Sequence, residues 1–206
     1  MLKKSTIWLS IAVVFILPVT AWLLLGWYER KIQALPVYGK TSNHHIDDFT
    51  FTNEDGQSIS KDNWKGKVIV TNFFFTHCPV ICPKMTANLK RVSNEFKNDA
   101  WFHITSFTVD PARDSVATLK AYANRFLLNT NNWDLLTGNK AELYKLARNS
   151  FMIVATDGDG GPEDFIHSDK LVLIDDQEKI RGYYDGTSEK EVNQLVTDIK
   201  KLKHEN

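Results

Sequence analysis

The run Lys67 to Phe75, KVIVTNFFF, is the feature that most constrains how this chain can fold. Its near-continuous β-branched and aromatic side chains suit a strand buried on both faces, as in a sheet covered on each side. The only two cysteines of the chain, Cys78 and Cys82, follow directly in FTHCPVICPKM. Beyond them Met85, Leu89, Val92 and Phe96 recur at helical spacing, so Pro83 to Lys97 reads as a helix with one apolar face. A central strand, a turn carrying both thiols and a helix packed back on the strand are thus expected as one unit.

The rest of the chain extends that pattern. Phe49 to Thr52 and Trp101 to Val109 are strand candidates, and Val116, Leu119, Tyr122, Ala123 and Phe126 mark a second amphipathic helix. A third helical stretch covers Lys140 to Arg148, followed by the short apolar stretch Phe151 to Ala155. Phe165 to Ile174 and Lys179 to Tyr183 fit a hairpin, and Ser188 with Glu191 reads as a capping box ahead of the last helix. Asp157 to Asp164, DGDGGPED, is too rich in glycine and aspartate for either element and is expected to be a mobile loop. Strands alternating with helices and closing in a hairpin plus helix describe a three-layer α/β domain.

Proline after each cysteine biases that cysteine away from helical angles, while Pro83 suits the first turn of a helix. Cys82 is therefore expected at the N-cap and Cys78 one turn outside it. There the unpaired N–H groups and the helix dipole favour thiolate, which both metal ligation and disulfide exchange require. A plain structural disulfide is the bland alternative, but so short a loop gains only about 2 kcal/mol from closure. Two thiolates are soft ligands that select Cu(I), zinc or iron–sulfur clusters, and structural zinc and clusters usually take four protein ligands. Two sulfurs with one histidine suit copper better. Among the six histidines, His44 and His45 lie in a tether, His77 adjoins Cys78, His103 falls in a strand, and His204 is in the charged tail. His167 follows the glycine-rich loop, and the residues alone leave the choice among these open.

Ser5 to Tyr28 carries no charge, which at about 1.5 Å per residue is sufficient to cross a hydrocarbon layer of roughly 30 Å. Residues 1–28 are thus expected to be one uncleaved transmembrane helix, residues 29–43 a tether, and 44–206 the globular domain. Pro18 would kink a soluble helix, and Trp8, Trp22, Trp27 and Tyr28 suit interfacial belts. Basic residues flank the span almost evenly, with the short end inside by a small margin. Lysine plus arginine equals aspartate plus glutamate at 25 each, so no bulk basic charge is present to bind nucleic acid.

The segments WKGKVIVTNFFFTHCPVICPKM, FTVDPARDS, WDLLTG and FIHSDKLVLID, in this order, resemble the Sco/SenC family from about His45 to Lys203. The resemblance implies a thioredoxin-like fold and copper, as Cu(I) or Cu(II), bound by Cys78, Cys82 and His167. It implies a metallochaperone that serves assembly of the copper centre of cytochrome c oxidase, with an oxidase subunit as partner and a thiol reductant or copper donor upstream. Asp110, in VDPARD, matches a family aspartate near the site but outside the ligand set, and is otherwise a turn residue. The expected location is a bacterial cytoplasmic membrane, with the domain on the extracytoplasmic side. The rival function is a thiol–disulfide oxidoreductase using Cys78 and Cys82. A three-residue spacer, unlike the two-residue spacer of redox CxxC motifs, favours metal. A peroxidase would want threonine three positions before the cysteine, and Thr76 is two before Cys78.

Overall fold

The computed structural model describes residues 12–33, 35–39, 44–153, 166 and 168–205. The chain divides into two units, residues 1–35 and 36–206. In the first, a π-helical turn, Ala12–Ile16, runs into helix α1, Leu17–Gln33. Pro18, at the second position of α1, has no N–H to offer the preceding turn, and the widened π turn stands immediately before it. Val13, Phe15, Ile16, Trp22 and Leu24 are all more than half exposed. No helix among the described residues is long and apolar enough to cross a membrane. Residues 5–11 of the expected span lie outside the described residues.

The second unit is built on β3, Val68–Phe74, which is preceded by a hairpin of β1, Thr50–Thr52, and β2, Ser58–Ser60. Gly56 makes the hairpin turn at φ +76°, with its N–H on the Asn53 carbonyl. Helix α2, Ile81–Glu95, follows β3; then come β4, Phe102–Thr108, and α3, Val116–Phe126. Strand β5, Trp133–Leu136, leads to the short α4, Lys140–Lys145, which widens into a π turn, Leu146–Ser150. β6, Lys170–Ile174, β7, Ile180–Asp185, and α5, Glu189–Glu205, complete the fold. The five-stranded order is β5-β4-β3-β6-β7, with β3, β4 and β5 parallel and β6 and β7 antiparallel.

Every residue of β3 is buried, as its composition requires of a central strand. Ile69 and Phe73 point into a core with Trp64, Phe107, Tyr144 and Phe151, on the side that carries the β1–β2 hairpin and α4. On the opposite face Phe74 meets Tyr122 of α3 at 5.3 Å between ring centroids, and Tyr122 hydroxyl bonds Thr86 of α2 at 2.7 Å. The expected three layers are present.

Several boundaries differ from the sequence reading. Strand β5 was not expected, because its alternation is broken by Asp134, a buried carboxylate whose charge is met by His103 at 2.7 Å. Of the strand expected over Phe165 to Ile174, β6 covers Lys170–Ile174, Ile166, Ser168 and Asp169 are outside it, and Phe165 and His167 lie outside the described residues. Ser188 accepts the Glu191 N–H, but the Glu191 carboxylate reaches the Asp185 N–H at 2.6 Å, so the reciprocal half of the capping box is not made. The loop Asp157 to Asp164 and residues 40–43 of the tether lie outside the described residues.

Candidate metal centre

Both cysteines sit where β3 hands the chain to α2. After Phe74 the backbone turns, with the Cys78 N–H donating to the Phe75 carbonyl at 3.3 Å. Helix α2 begins at Ile81, two residues earlier than the sequence indicates, so Cys82 lies inside the first turn and not at the N-cap. The N-cap position is Val80, which has no side-chain acceptor. The missing acceptor is supplied by Cys78, whose Sγ receives the Cys82 N–H at 3.3 Å. That contact overrides the bias of a residue before proline against helical angles.

The two thiols are chemically unlike. Cys78 is part-buried and Cys82 is 5% exposed, and both are free. Burial opposes charge on Cys78, but the N–H groups of Cys82, Val80 and Ile81 and the Cys82 thiol outweigh it, holding Cys78 below its ordinary value of 9.0. For Cys82 burial dominates and pushes the thiol up to about 12, with Cys78 and Asp114 adding negative charge nearby. Both thiols line one cleft of about 370 Å³, together with Phe75, Ile81, Val109 and Ile153. Ile166, Ser168, Asp169 and Lys170 form its other wall. His167 itself lies outside the described residues, between two residues that line this cleft.

Other sequence candidates go elsewhere. His44 bonds the Ser150 carbonyl at 2.7 Å, His45 is exposed, and His103 pairs with Asp134. Burial disfavours the Asp134 charge, yet His103 and Asn53 more than offset it and its pKa is lowered. The His77 ring is 3.0 Å from the Thr76 hydroxyl and its side chain is 59% exposed. His204's side chain is outside the described residues. Asp110 opens the turn after β4: its carbonyl accepts the Arg113 and Asp114 N–H groups, and its carboxylate is 3.8 Å from the Arg113 Nε. It does not line the cysteine cleft, although Val109 before it does. Among the described residues, no group of three His, Cys, Asp or Glu side chains is placed to hold a metal ion.

One residue was missed. Asp114, fully buried, accepts hydrogen bonds from Thr76 N, Thr76 Oγ1 and Thr108 Oγ1. The second aspartate of VDPARD, flanked by arginine and serine, looks like a helix-capping residue in sequence, and only the fold brings it to the cysteine turn.

The family model for SCO1/SenC matches residues 38–204. The chain belongs to the SCO1/SenC family. Its relatives include the SCO1 protein homolog of Bacillus subtilis (strain 168), 32% identical over 160 residues, covering 77% of this chain and 82% of that one. The structure of BsSco, a member of the Sco family of cytochrome c oxidase assembly proteins with an identified disulfide switch, superposes with TM-score 0.67. It is 31% identical and covers 80% of this chain and 96% of its own. The Arabidopsis thaliana ScoI structure with copper bound has TM-score 0.62 and 25% identity, covering 78% and 98% of the two chains. These neighbours establish the thioredoxin-like α/β fold.

Proposed function

We propose that this SCO1/SenC chain is a copper metallochaperone that holds copper through Cys78, Cys82 and His167 and passes it to an oxidase subunit. The observation that carries the reading is the sharing of one cleft by both thiols and by the immediate chain neighbours of His167. The donor chemistry fits: two adjacent sulfurs are soft ligands, and an imidazole lets the same set serve Cu(I) and Cu(II). Copper bound to a relative of this fold supports the metal, and the oxidase assembly role of BsSco supports the recipient. Transfer would proceed by exchange of one ligand at a time, starting at Cys78, the more accessible sulfur. The apolar, largely exposed side chains of Val13 to Leu25 support a role for the N-terminal segment as anchor, and the placing of the domain outside the cytoplasm is part of the same proposal.

The test is a copper titration of the reduced full-length protein. One equivalent should bind, with sulfur-to-copper charge-transfer absorption in the Cu(II) form. Cys78→Ala and Cys82→Ala should each abolish it, and His167→Ala should weaken Cu(II) binding far more than His44→Ala or His45→Ala. Full-affinity binding by either cysteine variant would refute the site. A second reading, a thiol–disulfide oxidoreductase, is favoured by the unlike thiols, one held down and one pushed up, which suit an attacking and a resolving cysteine. Multiple turnover on a disulfide client without copper would select it.

A further inference from the structure

Within the cysteine turn the contacts are short-range: the Cys78 N–H reaches the Phe75 carbonyl at 3.3 Å, the Cys82 N–H reaches the Cys78 sulfur, and the Thr76 hydroxyl lies 3.0 Å from the His77 ring. His77 is mostly exposed, Pro79 offers no N–H, and Val80 is 69% exposed. The turn is held from outside by one carboxylate. Asp114 Oδ1 accepts the Thr76 hydroxyl at 2.5 Å, and Oδ2 accepts both the Thr76 N–H at 3.2 Å and the Thr108 hydroxyl at 2.5 Å. Thr108 is the last residue of β4, buried and paired with Phe74 across the parallel ladder. The carboxylate is carried there by the turn that follows β4, in which the Asp114 N–H is bonded to the Asp110 carbonyl at 2.9 Å. The end of β4 and the cysteine turn thus converge on a side chain with no solvent exposure.

We propose that Asp114 is a positioning residue for the copper site, acting through Thr76 to hold the Cys78 sulfur over the first turn of α2. It touches neither sulfur through a hydrogen bond of its own; it sets where the turn begins, and Cys78 lies two residues on. A carboxylate is suited to this because it accepts from several donors at once, and burial strengthens each bond by excluding water. The inference rests on the copper reading for its metal-bound consequence, but its metal-free consequence is independent: if Thr76 is released, the Cys78 sulfur leaves the Cys82 N–H. Partners one step removed from a metal ligand typically contribute about 10–100-fold in affinity.

The experiment uses the reduced full-length protein with Thr76→Val, Thr76→Ser and Asp114→Asn. Thr76→Val should lower Cu(II) affinity about tenfold and change the charge-transfer band, while Thr76→Ser, which keeps the hydroxyl, restores both. Without metal, hydrogen exchange at the Cys82 amide should quicken in Thr76→Val and Asp114→Asn, with core amides of β3 and α2 unchanged. Unchanged copper affinity and Cys82 exchange in Thr76→Val would overturn the proposal, as would equal loss in Thr76→Ser. If Asp114→Asn does not fold, the Thr76 pair decides. If the wild type takes up no copper while the Cys82 amide responds, the positioning role stands and the copper reading falls.

Discussion

The unlike thiols make a quantitative prediction for alkylation. Cys78 is held below 9.0, and Cys82 is pushed up to about 12. Even a thiol left at the ordinary 9.0, the upper bound for Cys78, is about 10% thiolate at pH 8 and one at about 12 is about 0.01%, so the reactive species differ by about 1,000-fold or more. The more basic thiolate is the better nucleophile, and a Brønsted slope of about 0.45 over three units returns about 20-fold of that advantage to Cys82. The balance favours Cys78 by at least about 50-fold before access is counted, and the burial of Cys82 widens it further. With limiting iodoacetamide, the metal-free reduced protein should be labelled almost wholly at Cys78, located by fragment masses of the peptide that carries both cysteines. One equivalent of copper should suppress the labelling at both. Equal labelling, or labelling first at Cys82, would refute the account of how the helix start and the burial divide the thiols. Rapid labelling of both despite bound copper would place the metal elsewhere.

Two further tests lie away from the thiols. Glu54, in the β1–β2 turn, is 2% exposed; one oxygen accepts the Leu135 N–H at 2.8 Å and the other has no hydrogen-bond partner among the described residues. Burial raises its pKa above 4.5, with Asp134 and Asp55 adding to the shift against the opposing Leu135 N–H. With the folded value the higher, the stability tied to this group is full below 4.5 and is lost as pH rises towards the folded pKa. Glu54→Gln should therefore flatten the fall in urea midpoint above that pH, and an unaltered slope would show that Glu54 ionises freely in the fold. If residues 5–28 anchor the chain, the full-length protein should remain with membranes through high-salt and alkaline washing, since screening charge does not undo apolar burial. Release by the salt wash would refute the anchor.

What the sequence revealed and what it hid have separate causes. β3, α2, α3 and the closing hairpin were legible because their side chains follow the period of their own backbone, and each then buries the face that the period marks. β5 was hidden because it is four residues long and places Asp134 in a buried position that only His103 makes tolerable. β2, as short as β1, was hidden because Ile59 is its one apolar side chain, with a serine on either side. At the site, the cysteines could be read from their place between strand and helix, whereas Asp114 could not. Its partners Thr76 and Thr108 lie 38 and 6 residues away, and no local pattern distinguishes a carboxylate that faces inward from one that caps a helix.

If copper is held as proposed, the early start of α2 bears on how metal and oxidation compete for the same sulfurs. The helix begins at Ile81 with no capping side chain at Val80, so the Cys82 N–H depends on the Cys78 sulfur. A thiolate accepts that hydrogen bond well, because the acceptor is charged. A sulfur bound to copper keeps anionic character and lone pairs, and can go on serving the helix end while it holds the metal. A disulfide sulfur is neutral and a weak acceptor, so oxidation joins the two residues at the cost of the bond that closes the first turn. The fold therefore favours the reduced pair locally, and favours it more strongly when a cation is present to offset the charge that burial makes costly on Cys82. On this view reduction is what opens the site to copper, and copper is what keeps it reduced.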